Sequence, residues 1–163
     1  MSDENPETTA YHEAGHAVMA HLLGGNVQLV TIEPDDDDGP ERSGNTEVIW
    51  RRTGMTEKEF AKCAIQVSLA GPAAEMIYTG DPFHPGLVPE WAADWKEAWT
   101  TAELLHAHEK KRLEYLEAVS IRVYRRFRQD DLWAALAAVA DHLLAHESLE
   151  GEQFEEIVAE WLE

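Results

Sequence analysis

The residues best suited to chemistry lie early in the chain. His12 and His16 stand four apart with Glu13 between them, in the stretch TTAYHEAGHAVMAHLLGG from Thr8 to Gly25. On a helix, residues four apart share a face, one turn up. Two imidazole nitrogens then converge, and zinc accepts such nitrogens at ~2.0–2.1 Å. Glu13 projects about 100° around the helix from His12 and about 60° from His16. Its carboxylate is therefore set beside a metal-bound water rather than on the metal, the position of a general base. A pattern fixing so few positions also arises by chance, as a surface histidine pair. Here His12, His16, Met19 and Leu23 share one stripe. Imidazoles buried there cost free energy unless a metal or hydrogen bonds satisfy them.

A catalytic zinc wants three protein ligands and one open position. The helix predicted after Pro89 offers the third. Trp91, Trp95, Ala98, Ala102 and Leu105 form its apolar face, and Asp94 falls inside that sector. Glu90, Glu97 and Glu103 fall toward the flanks or outside. An acid near a helix start also complements the helix dipole, but that alone does not aim it toward tryptophans. Glu75 borders the apolar face of an earlier helix. It is either a hydrogen-bond acceptor for a ligand histidine or an exposed surface glutamate. Gly15, inside the first helix, costs about 1 kcal/mol relative to alanine. Close approach by substrate or by another backbone would explain it, as would plain helix packing.

These groups need elements to hold them. Thr8 or Thr9 caps a helix running to about Leu23, which Gly24 and Gly25 stop. NVQLVTIEP and NTEVIW read as strands, with a hairpin around the acidic loop DDDDGPERSG. The first of these strands offers a backbone edge for an extended peptide. Asp35 to Asp38 read as a solvated loop. Thr56 and Glu59 form a capping box opening a second helix with the apolar face Phe60, Ala64, Val67, Ala74 and Tyr78, which Pro72 should kink or split. TGDPFHPGLVP is a loop. Helices follow over EWAADWKEAWTTAELLHAH, over the charged EKKRLEYLEAVSIRVYRRFRQ, over LWAALAAVADHLLAH capped by Asp130 or Asp131, and over EGEQFEEIVAEWL. The fold class is mainly α with a small β-hairpin or sheet.

Composition narrows the function. The 163 residues fit one domain, with residues 1–7 as a flexible leader. Thirteen basic and 32 acidic residues give a net charge of −19, which argues against nucleic acid and anionic membrane as partners. Seven of the basic residues lie between Lys110 and Arg128 and read as a solvated helix or an oligomer contact. The lone Cys63 permits no internal disulfide, so a reducing cytoplasm is the default location. The start is no signal peptide and no run is long enough for a membrane span. His84, His106, His108, His142 and His146 read as surface or capped histidines, His84 drawing interest because its loop leads to Asp94. The six tryptophans pack a core or a subunit interface.

Three stretches, TAYHEAGHAV, SLAGPAAEMIYTG and LLAHESLEGEQFEEI, resemble in that order the peptidase domain of the FtsH family of ATP-dependent zinc proteases. The resemblance implies a mostly helical zinc metallopeptidase domain with one zinc per chain. Carried over by position, it implies His12 and His16 as ligands, Asp94 as the aspartate ligand and Glu13 as the base. It implies a polypeptide substrate and leaves room for a homo-oligomer and a separate ATPase partner, since the family's ATPase module is absent from this sequence. The chain departs from the pattern at Pro72, where a basic residue is usual, at Asp35 to Asp38, and at PFHPGLVPEWAA before Asp94. The leading expectation is a stand-alone zinc metalloendopeptidase acting on flexible or unfolded polypeptides. The alternatives are a non-catalytic zinc-stabilised binding module and a zinc hydrolase for a small amide.

Overall fold

Small side chains decide which helices meet at the centre. The computed structural model describes residues 5–33, 44–80 and 89–162. The acidic run Asp35 to Asp38, the loop containing His84 and the first four residues lie outside them. Helix α1 (Pro6–Leu22) has Ala10, Ala14, Ala17 and Ala20 fully buried. Helix α2 (Glu57–Thr79) answers with Ala70, Gly71, Ala73 and Ala74. With so little side chain between them the two backbones come close. A Cβ added at Gly15 would stand 2.5 Å from the Ala70 carbonyl oxygen and 2.8 Å from Ala74 Cβ. Close approach between helices accounts for the glycine.

The first helix begins earlier than Thr8 or Thr9. Asn5 caps it, accepting a hydrogen bond from the Glu7 amide at 2.9 Å, and Pro6 opens the first turn. Asparagine followed by proline is the stronger start, because proline lacks the amide that a first turn leaves unpaired. Pro6 and Glu7 are thus helical rather than part of a leader. Thr8 and Thr9 instead bond back to the Asn5 carbonyl. Leu23 closes the helix, and Gly24 takes a positive φ of 92°.

The sheet is larger than a hairpin. Strands β1 (Asn26–Thr31) and β2 (Asn45–Ile49) pair antiparallel as the alternation predicts. A third strand, β3 (Ser148–Glu150), pairs antiparallel with the other side of β1, giving the order β2-β1-β3. Its partner is more than a hundred residues away, so no local pattern announces it. Pairing with β3 places β1 in the middle, flanked along Leu29 to Thr31 on both sides. The edge strand beside α1 is β2, not β1. Along β2 the side chains of Thr46 and Val48 are half-buried, while Glu47 and Ile49 face solvent.

Helix α2 opens on the predicted capping box, Thr56 with Glu59. Pro72 lies inside it, yet α2 runs unbroken to Thr79 and ends at Gly80 in the left-handed region. Packing of the small residues around Pro72 offsets the backbone bond that proline removes. The buried stripe is Ala61, Ile65, Leu69 and the small residues after it. Phe60, Ala64, Val67 and Tyr78 sit at its margin, because the seam with α1 follows the small side chains rather than the large ones.

Helix α3 (Pro89–Ala102) is shorter than the pattern suggests. Helices α4 (Glu109–Phe127), α5 (Asp130–His146) and α6 (Gly151–Ala159) follow. Gln129, rather than either aspartate, occupies the cap position of α5, with Asp130 and Asp131 in its first turn. The charged stretch read as solvated carries one buried cation. Arg112 donates to the His106 and Ala107 carbonyls at 2.9 and 2.8 Å and lies over the Trp99 ring, which closes the α3–α4 turn. The core runs through Val18, Met19, Leu69, Leu116, Phe127, Leu136, Leu143 and Phe154. Among the described residues no helix is long and apolar enough to cross a membrane.

The α1–α2 seam sets a prediction. Gly15→Ala should destabilise the protein by about 1–3 kcal/mol through overpacking, although alanine is the better helix former. A thermal melt should show a fall of roughly 2–12 °C, at ~2–4 °C per kcal/mol for a chain of this size. A rise in Tm would contradict the close approach.

Candidate metal centre

Three elements deliver the site. Helix α1 presents His12 and His16 one turn apart, their ring centroids 4.7 Å apart and their planes at 79°. Helix α3, which packs on α2, brings Asp94 to them. His12 Nε2 lies 2.8 Å and His16 Nε2 lies 3.5 Å from Asp94 Oδ2. The three donor atoms all fall within 4.8 Å of one another. All three side chains are largely buried.

The outer faces of the rings are also held. His16 Nδ1 lies 2.7 Å from the Val67 carbonyl oxygen, which can only accept. That nitrogen therefore carries a hydrogen, which leaves Nε2 as the ring atom facing Asp94. His12 Nδ1 lies 2.8 Å from Glu75 Oε1, an ion-pair distance whose angle falls short of a regular hydrogen bond. Glu75 is fixed in turn by Trp91, whose Nε1 donates to Oε2 at 2.7 Å. Glu75 is thus the partner of a histidine and not a free surface acid. Trp91, read from the sequence only as an apolar contact, carries a polar task as well.

Such an arrangement asks for positive charge. Between two carboxylates, His12 is pushed toward its doubly protonated form when no cation is bound. Burial alone would lower its pKa, but Asp94 and Glu75 together hold it well above 6.5. Burial also opposes charge on His16, and the Asp94 carboxylate again raises it. Burial would raise Asp94, yet His16 and His12 hold it well below the usual carboxylate range. A divalent cation among Nε2, Nε2 and Oδ2 would replace those protons and leave both rings neutral. Tetrahedral zinc ligands lie ~3.3 Å apart, and the observed 2.8 and 3.5 Å bracket that spacing.

Space for an ion comes from α2. A Cβ added at Gly71 would stand 2.5 Å from His16 Nε2 and 2.8 Å from His12 Nε2. Gly71 thus leaves open the ground in front of both donor atoms. The residues present fit a zinc ion in donor type, spacing and room.

Glu13 occupies the helix position after the first histidine and is buried, 7% exposed. Its Oε1 accepts a hydrogen bond from Thr46 Oγ1 of β2 at 2.7 Å. Sequence reasoning missed Thr46, Gly71 and the Val67 carbonyl. A glycine inside a helix was the one signal available for Gly71; nothing local points to Thr46. The remaining described histidines lie elsewhere: His21 meets Phe154 edge-on, His106 packs on Tyr115, His108 precedes α4, and His142 and His146 face one another at a tilt on α5.

No family model matches the chain. Curated relatives do, among them two zinc metalloproteases. It is 40% identical over 84 residues to the ATP-dependent zinc metalloprotease FtsH 4 of Sorangium cellulosum, covering 49% of this chain and 12% of that relative. It is 32% identical over 83 residues to the ATP-dependent zinc metalloprotease FtsH of Acidimicrobium ferrooxidans, covering 50% of this chain and 12% of that relative. The chain is similar to FtsH-type zinc metalloproteases over about half its length. It spans a small fraction of theirs.

Two predictions rest on this geometry. Gly71→Ala should strip the protein of bound metal, read by metal analysis, while it still folds. The charge cluster also sets a pH dependence for the metal-free protein. The raised His12 contributes stability fully below its ordinary 6.5 and loses it as pH climbs through the raised value. The depressed Asp94 contributes above its ordinary 3.8 and loses it as pH falls through the lowered value. The pair is therefore worth most between those two ordinary values. Zinc competes with protons, so it should raise Tm strongly at about pH 8 and little at about pH 5. Equal shifts at both would count against ligation by these rings.

Proposed function

We propose that this chain is a zinc-dependent hydrolase of peptide bonds, acting on flexible or unfolded polypeptide. One observation carries the reading: two histidine nitrogens from α1 and a carboxylate oxygen from α3 converge within 4.8 Å, with Glu13 following the first ligand in the helix. The names of the two relatives, both zinc metalloproteases, point the same way.

In this reading His12, His16 and Asp94 hold the ion through Nε2, Nε2 and Oδ2. Zinc, when bound, supplies Lewis acidity that lowers the pKa of water toward ~7 and stabilises developing negative charge. Glu13 takes the proton from the attacking water and passes it to the leaving amine. Glu75 and the Val67 carbonyl fix the two rings so that their Nε2 atoms face inward. Trp91 holds Glu75 in place. Among the described residues no strand pairs with the outer edge of β2, the strand that touches Glu13, and that edge would offer backbone hydrogen bonds to an extended peptide, with Ile49 exposed at its end. Glutamate at position 13 distinguishes this reading from a purely structural zinc site, which has no use for a base.

Glu13→Gln should keep the metal and lower the rate on an unstructured peptide by about 10²–10⁴-fold, the usual worth of general base catalysis. Metal analysis and a peptide cleavage assay on the same preparation check both halves. Full activity in the variant would remove Glu13 from its role; bound zinc with no cleavage by the unaltered protein would favour the binding-module reading.

A further inference from the structure

The strand that borders the site also touches its base. Thr46 is the second residue of β2 and pairs with Val30 of β1, so its side chain turns to the same face as the fully buried Val30. There its Oγ1 lies 2.7 Å from Glu13 Oε1 and 3.3 Å from the Glu13 carbonyl oxygen. A hydroxyl has one hydrogen to give. The carboxylate is the nearer and more strongly charged acceptor, so the hydrogen goes to Oε1. Two residues back, a Cβ at Gly44 would stand 2.8 Å from Glu13 Cγ and 2.7 Å from the Thr31 carbonyl oxygen. Glycine there lets the backbone lie against the Glu13 stem. The glutamate is thus clamped at its stem by Gly44 and at one oxygen by Thr46, and in the hydrolase reading its other oxygen takes the proton.

We propose that Thr46 is a positioning residue that fixes the Glu13 carboxylate from the sheet. The inference rests on the hydrolase reading above, in which Glu13 is the base. Helix α1 sets where the Glu13 Cα sits, but a glutamate has three side-chain torsions, and the helix leaves them free. Rate in such a site is sensitive to placement, with a misplacement of ~1 Å costing ~10²-fold. The hydroxyl of Thr46 removes that freedom. Because Thr46 belongs to the edge strand, the same strand that would hold a peptide also holds the base.

The test compares Thr46→Val, which keeps the shape and removes the hydroxyl, with Thr46→Ser, which keeps the hydroxyl. On an unstructured peptide, T46V should lower kcat by about 10–100-fold, with KM within ~2-fold and zinc content equal to that of the unaltered protein. T46S should restore most of the rate. A second readout needs no activity. In metal-free protein T46V should lower Tm by several degrees when Glu13 is present, and by much less in a Glu13→Ala background, since the lost bond to a buried carboxylate is the cause. Should T46V not fold, T46A replaces it in both arms. Equal Tm losses in the two backgrounds, or a T46V protein as active as the parent, would overturn the role of Thr46 while leaving the hydrolase standing. A parent protein that holds zinc and cleaves nothing would overturn the hydrolase, and the positioning role with it.

Discussion

Two carboxylates and two imidazoles share a space with little water, and that set is stable only with positive charge among them. Burying an unpaired carboxylate is expensive, because the interior cannot replace its hydration. Asp94 and Glu75 flank His12 on its two nitrogens, so a proton or a metal ion must sit there. A cation bound there would compete with protons for the same donor atoms. The geometry around the site follows from that need: each ring has its outer nitrogen held, and each inner nitrogen faces Asp94.

The close seam of α1 and α2 makes the arrangement possible. Alanines and glycines let the backbones approach, which brings the Val67 carbonyl within 2.7 Å of His16 and Glu75 within 2.8 Å of His12. Larger residues along the seam would push α2 away and release both rings. The same smallness leaves the ground in front of the two Nε2 atoms open. One packing choice therefore does two jobs, holding the histidine rings and keeping space in front of their Nε2 atoms. Pro72 survives mid-helix in this seam, where a continuous α2 is needed to carry Val67, Gly71 and Glu75 in one line.

The sheet completes the enclosure from the other side. Strand β2 reaches Glu13 through Thr46, and β1 anchors β2 to the body of the protein with β3 on its far edge. Glu13 is thus tied to the sheet, whereas His12, His16 and Asp94 are held by helices.

Much of this was legible in the residues. The spacing of His12, Glu13 and His16 set two imidazoles on one helical face, and the apolar sector around Asp94 aimed that acid inward. The capping box at Thr56, the strand alternation and the helical periods placed most elements within a few residues of their ends. These are local properties, set by neighbours three or four positions apart or by alternation along a strand. What the sequence could not decide was every pairing between distant segments. The third strand, the central place of β1, the link from Trp91 through Glu75 to His12, and the bond from Thr46 to Glu13 join residues from 16 to more than 100 positions apart. Such contacts depend on how closely helices pack and in which register strands pair, quantities set by the whole core at once. The sequence determined which groups were fit to hold a metal; the tertiary structure decided that they meet, because only packing across α1, α2 and α3 brings their donor atoms to a common point.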